Sequence, residues 1–270
     1  SLTRIELPGD VQRRAVAKKV LFLHEGCVQD AISPEINQAT RAVFSALSFD
    51  VQPLNGGCCG AIEFHLDEQE AARTRMRKNI DRWSSILMQE PSACIVSNAS
   101  GCGAFLKDYA SVLADDPAYL VKARALVERV KDPVELIDGL ELGALLRDTA
   151  LVRENQKVAF QSPCSLQHGQ KLAGAVEQLL TDAGVDISAL RDAHLCCGSA
   201  GTYSILQTEI SQQLKDRKLT SINELGAVHV LSANIGCQTH LNAGTRLGIK
   251  HWLVLVAEMI TKARSESRNV

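Results

Sequence analysis

The chain has 270 residues, with 29 lysines and arginines against 31 aspartates and glutamates, and is 46% apolar but only 4% aromatic. That is enough for a substantial core or two small domains, and a net charge of -2 supplies no basic field for nucleic acid. The longest apolar stretch, around 252–260, falls short of the roughly 20 residues that span a bilayer, and the first residues hold no apolar targeting core, so membrane insertion is excluded.

In chain order, β-branched and apolar residues at 19–23 predict a strand that ends just before Cys27. Ser33 and Pro34 open a helix over 34–47, and Cys58, Cys59 and Gly60 precede another over 67–88. A strand at 93–97 includes Cys94 and runs out five residues before Cys102. The segment 115–155 is helical in pattern over 118–130 and 140–146. It is broken at Asp-Asp-Pro and Asp-Pro, carries no cysteine, and reads as the last helices of a first domain plus a connection. A strand at 157–161 then ends before Cys164, and a helix over 167–183 stops at Gly184. Cys196, Cys197 and Gly198 precede a helix over 206–224 stopped by Gly226, and a strand at 228–232 leads to Cys237. The stretch 250–263 closes the chain as a short apolar strand or helix.

The cysteines show a duplication. Cys164, Cys196, Cys197 and Cys237 follow Cys27, Cys58, Cys59 and Cys102 at offsets of 137, 138, 138 and 135 residues, with matching local sequence around each double cysteine and each last cysteine. The expected fold is therefore α/β, two similar tandem domains (1–150 and 151–270), each a small parallel sheet flanked by helices. In such sheets the strand ends share one edge, where ligands bind, and all four cysteines of a half can converge there.

Nine cysteines without a signal peptide argue against a secreted disulfide scaffold, and Cys58 fits poorly in a disulfide with its neighbour Cys59. Four thiols gathered without an ion would be weak donors whose thiolates repel, whereas a bound metal deprotonates and neutralises them. Four sulfurs suit zinc or an iron–sulfur cluster. Gaps of more than thirty residues between ligands favour the cluster, with zinc a rival at the first site. His168, His194 and His240 crowd the second motif as ligands or as donors to cluster sulfur. Cys94 lacks a counterpart and reads as a core residue; Arg73, Arg75, Arg77 and Lys78, interleaved with glutamates, read as a solvated helix face. No acid–base pair is identifiable, so no catalytic residue is assigned.

The order Cys, Cys-Cys-Gly, Cys, present twice, resembles the CCG cysteine-rich domains of heterodisulfide reductase and of the iron–sulfur subunits of glycolate oxidase, anaerobic glycerol-3-phosphate dehydrogenase and lactate-utilisation complexes. The segments 23–27, 57–61, 99–105, 164–168, 194–203 and 233–241 carry a resemblance that is strongest to the iron–sulfur subunits of bacterial glycolate oxidase and covers nearly all of the chain. It implies a cytoplasmic electron-transfer subunit, held peripherally at the membrane through its partners, that relays electrons from a flavin-containing partner subunit toward a quinone without binding glycolate itself. A 4Fe-4S cluster is implied on Cys164, Cys196, Cys197 and Cys237, and a cluster or zinc on Cys27, Cys58, Cys59 and Cys102. A lactate or glycerol-3-phosphate complex, a zinc scaffold and a thiol–disulfide enzyme remain alternatives. The ferredoxin-like module of the family's proteins does not occur here, so the expected fragment is the C-terminal two-thirds. Phe105 and His240 stand where some CCG domains place a further cysteine, so the pattern does not carry five-cysteine ligation.

Overall fold

The computed structural model describes residues 19–267, so the first 18 residues of the expected first domain lie outside the described residues. Two four-stranded, wholly parallel sheets are present. Strands β1 (Lys19–His24), β2 (Phe49–Pro53), β3 (Cys94–Ser97) and β4 (Val130–Lys131) align in the order β2-β1-β3-β4. Strands β5 (Val158–Gln161), β6 (Ile187–Ala189), β7 (His229–Ser232) and β8 (Lys250–His251) repeat this as β6-β5-β7-β8. The central strands end in register, His24 beside Ser97 and Gln161 beside Ser232. Every chain segment leaving a central strand therefore starts from one edge of its sheet.

The expected α/β duplication is the observed fold, and most predicted elements lie within two residues of their observed bounds. One prediction needs correction. The single helix expected over 167–183 is a π-turn at Ser165–Gly169 followed by a helix at Ala175–Asp182. Lys171 and Gly174 have positive φ (60° and 74°), which no right-handed helix accommodates. The two-residue edge strand β4 escaped the sequence because two residues show no period, whereas the stretch expected as a strand or helix from 250 is the strand β8 followed by the closing helix.

Each half has its own small core. Met76, Ile80, Trp83, Leu106 and Tyr109 fill the first, and Leu219, Ile222, Val230 and Leu241 the second. A larger core joins them: Leu21, Val43, Phe44 and Val96 of the first half pack in one cluster with Phe160, Leu231, Trp252 and Val256 of the second. The closing helix (Trp252–Ser267) lies against the helix Glu35–Ala46, so the last element of the second half roofs the first. Phe44 and Trp252 are each essentially inaccessible; truncating either to Ala would cost about 3–5 kcal/mol. The two repeats are thus one packed body.

The seam between the halves is also polar. Ser100 N–H donates to the Ala233 carbonyl (3.1 Å), and the Ser100 and Ser165 hydroxyls meet at 2.8 Å. Gln170 Nε2 donates to Asp132 (3.1 Å) and to the Ser100 carbonyl (3.2 Å). His251 Nε2 lies 2.9 Å from the Asn98 carbonyl while its Nδ1 accepts from Leu253 N–H (3.2 Å), a neutral ring with the proton on Nε2. Helix Ser100–Lys107 comes close enough to the turn after Cys164 that a Cβ on Gly169 would sit 2.9 Å from Ala104 Cβ. Among the described residues, no helix is long and apolar enough to cross a membrane.

Candidate metal centres

The outlying cysteines owe their positions to where the strands end. Cys27 opens the helix Cys27–Ile32 three residues after β1, and Cys164 precedes the π-turn three residues after β5. Cys102 and Cys237 lie in the first turns of the helices Ser100–Lys107 and Ile235–Asn242. The double cysteines arrive from the loops after β2 and β6, which flank β1 and β5. The parallel edge therefore gathers residues separated by up to 75 positions in each half.

In the second half the sulfurs form a contact chain. Cys197 Sγ lies 3.1 Å from Cys237 Sγ, and Cys164, Cys196 and Cys197 are near enough to shift one another's protonation. In the first half Cys27 Sγ lies 3.3 Å from Cys58 Sγ, and Cys58, Cys59 and Cys102 are near enough for their sulfurs to influence protonation along the set. All eight cysteines expected as ligands are thus brought together in two quartets, and all are free thiols. They meet in sequence; among the described residues no three His, Cys, Asp or Glu donors are already disposed around one ion. Cys94 stays outside both quartets, half-buried against the central core, as its lack of a counterpart led us to expect.

The glycine of each Cys-Cys-Gly has a direct role. Gly60 and Gly198 adopt φ of 93° and 95°, a left-handed conformation costly to residues with a Cβ. It turns the glycine N–H back onto the sulfur two residues earlier: Gly60 to Cys58 (3.5 Å) and Gly198 to Cys196 (3.3 Å). Such N–H groups stabilise sulfur that carries negative charge.

Protonation differs between the quartets. In the first, Cys58 and Cys59 are pushed up by hydrogen bonding, Cys58 with Cys59 and Cys59 with Cys102, and by burial; Cys27 is raised chiefly by burial. In the second, Cys164 and Cys197 are pushed up through hydrogen bonds to Cys196. Cys196 is held well below the usual thiol range because it receives the protons of both, aided by Gly198 N–H. A quartet of this kind must lose protons to become a four-thiolate site, so metal loading here releases protons.

This geometry corresponds to a known sequence pattern: the model of the CCG cysteine-rich domain matches residues 21–107 and 158–242, one match per quartet. The chain belongs to the CCG cysteine-rich domain family. Among CCG relatives, the glycolate oxidase iron-sulfur subunit of Escherichia coli is 41% identical over 246 residues, 91% of this chain and 59% of that protein. A probable glycolate oxidase iron-sulfur subunit of Bacillus subtilis is 30% identical over 229 residues, 84% of this chain and 50% of that protein. Lactate utilization protein A of Bacillus pumilus is 29% identical over 227 residues, 82% of this chain and 89% of that protein. The chain therefore spans little more than half the length of the glycolate oxidase subunits it matches.

The three histidines expected near the second CCG motif separate. His168 Nε2 is 3.2 Å from the His194 carbonyl, so these two engage each other on the surface. His240 packs over the double-cysteine turn: its Nε2 is 3.3 Å from Ser211 Oγ, which donates to the Gly198 carbonyl at 2.9 Å. Burial lowers the His240 pKa, keeping the ring neutral. The arginine-rich helix face, expected to be solvated, carries partly exposed ion pairs. Arg73 bonds Asp115 and the Val112 carbonyl, Arg75 pairs with Glu63, and Arg77 pairs with Glu70 and Asp116.

Sequence reasoning missed Asn234, Lys215 and Lys218. Asn234 Nδ2 points at Cys237 Sγ (3.8 Å), and its Oδ1 lies 3.5 Å from where a Cβ on Gly101 would stand. Gly101 adjoins Cys102, so one asparagine touches the surroundings of both quartets. Lys215 and Lys218 are buried on the helix Thr208–Glu224, where Lys218 lines a small cavity with Cys196. Two lysines three apart on the same face as Ser211, Leu219 and Ile222 were the available signal, since a buried helix face seldom carries them.

Proposed function

We propose that this chain is an electron-transferring iron–sulfur subunit of a 2-hydroxy-acid oxidoreductase, with glycolate as the acid that the relatives' names favour. The observation that carries the reading is the convergence of Cys164, Cys196, Cys197 and Cys237, from four separate segments, into one contact chain. Four sulfurs drawn to one sheet edge, with the Gly198 N–H directed at Cys196 and the Asn234 amide at Cys237, match in kind the donor set of an iron–sulfur cluster. Cys27, Cys58, Cys59 and Cys102 would hold a second such group. When bound, these groups supply one-electron storage and release. The protein's own part is to hold the thiolates, aim N–H groups at them and limit water, since Cys197, Cys237 and Cys59 are buried.

The two quartets flank the same seam, and Asn234 packs between Gly101 and Cys237. That contact supports a relay within one body, from a flavin-containing partner subunit through the first site to the second and on to a quinone. In this reading a partner subunit binds and oxidises glycolate. The boundary between the two repeats falls near residue 150, within the connection, and the chain works in the cytoplasm, held at the membrane by its partners.

Anaerobically purified protein tests the proposal by iron, sulfide and zinc analysis together with absorption and electron paramagnetic resonance spectra. Iron and sulfide with a reducible brown chromophore are expected. Colourless protein containing zinc without iron would overturn it in favour of a scaffold.

A further inference from the structure

The two halves can be superposed in sequence through the backbone that each double-cysteine glycine faces. A Cβ on Gly60 would meet the carbonyl oxygen of Ala72, and one on Gly198 that of Ser211. Counting four and seven residues along the supporting helices from these anchors pairs Met76 with Lys215 and Asn79 with Lys218. Asn79 is a neutral bridge, donating to the Cys58 carbonyl (3.1 Å) and the Tyr109 hydroxyl (3.0 Å), and Met76 is fully buried in apolar surroundings. The second half replaces both with ammonium groups.

Lys218 is 3% exposed and Lys215 8%. Among the described residues Lys218 Nζ donates only to the Asp192 carbonyl (2.9 Å); the Asp192 carboxylate is taken by Arg217. Lys215 packs its stem on Gly244 and places its charge near His240. Among the described residues neither lysine forms an ion pair. A buried cation without an anionic partner costs several kcal/mol, so an anion must sit nearby. Lys218 lines one small cavity with Cys196, the sulfur of this quartet held below the usual thiol range, and lies within electrostatic reach of Cys197 and Cys237.

From this we propose that Lys215 and Lys218 are built-in counter-charges for the second centre, raising its reduction potential above that of the first and giving the chain a direction for electrons. The inference rests on the iron–sulfur reading above. Adding an electron makes a thiolate-ligated site more negative, and a fixed positive charge in a low-dielectric surround stabilises that state. The first quartet has Met76 and Asn79 in these places and gains no such stabilisation. No bond is made or broken and no proton moves: one electron reduces the second site, and the donor that gives it up is oxidised.

The test is redox titration of the metal-loaded wild-type protein and of Lys218→Met and Lys215→Met, following both centres spectroscopically. Each substitution keeps most of the stem and removes the charge. The second centre should become harder to reduce, the reduced-to-oxidised ratio at a fixed potential falling about tenfold per lysine, which is about 59 mV for a one-electron couple. The first centre should not move. If Lys218→Met does not hold its metal, Lys218→Arg and Lys215→Met decide: Arg retaining the wild-type potential while Lys215→Met lowers it supports the counter-charge. An unchanged second potential in Lys215→Met and Lys218→Met, or an Arg variant shifted as far as Met, overturns it. Wild-type protein lacking iron would instead bring down the iron–sulfur reading itself.

Discussion

Cys58 and Cys196 receive the same glycine N–H from the same left-handed turn, yet the two quartets rest on different floors. Beneath the first lie Met76, Ile80 and Trp83, with Tyr109 donating its hydroxyl to the Cys59 carbonyl (2.6 Å). Beneath the second lie Ser211, Lys215, Lys218 and Ile222, with Asn234 facing Cys237 where the first half has Ala99. Duplication preserved the strand ends and cysteine turns, which determine where sulfur goes. The helix faces below were free to diverge, and they decide what charge the sulfur can carry. Similar ligands in dissimilar surroundings are how a two-centre relay separates its steps.

The comparison can be broken most sharply at the ligands. Cys237→Ser should abolish metal content at the second centre and leave the first intact, and Cys102→Ser should do the reverse, read as iron per chain and by which spectral component disappears. Loss of both signals from either change would show one shared site instead of two.

The glycines give a graded contrast. Both Gly60→Ala and Gly198→Ala pay about 1–2 kcal/mol for a left-handed Cβ. The Cβ at 60 meets nothing closer than 3.5 Å, whereas that at 198 would lie 2.4 Å from the Ser211 carbonyl and 3.0 Å from His240 Nε2. Overpacking should add about 1–3 kcal/mol to the second variant alone, and denaturant unfolding should rank Gly198→Ala well below Gly60→Ala.

Asp132 and His251 occupy matching positions just past and at the ends of the edge strands, and their pH responses oppose each other. Burial holds His251 at about 4, below its usual 6.5. The unfolded chain therefore binds the extra proton, and the stability due to the neutral ring is lost as pH falls from 6.5 toward 4. That loss is of order 3 kcal/mol. Burial lifts Asp132 to about 7 from 3.8, so its contribution is present below pH 3.8 and is lost as pH rises through 7. His251→Asn should flatten the acid side of the stability profile, and Asp132→Asn the neutral side; equal profiles in all three proteins would contradict the buried neutral forms. The smallest effect is expected for His240→Ala, which removes one hydrogen bond to Ser211 and should lower stability by about 1 kcal/mol, measured by thermal unfolding.

The sequence determined that there are two quartets, which cysteines compose them and that parallel strand ends present them, because cysteine spacing and hydrophobic period are local and the duplication reads each twice. It pointed to His240 as a ligand or a donor to sulfur, one helical turn from Cys237, whereas the partner the structure gives the ring is Ser211. It did not reveal the broken helix at 165–182, which depends on Gln170 reaching across to Asp132 and Ser100, nor the core that the closing helix shares with Glu35–Ala46. The buried lysines were visible as letters but not as counter-charges. Whether a lysine faces water or lies buried beside a cysteine turn is settled by which side of a helix meets the sheet edge, a relation between distant segments that only tertiary packing creates.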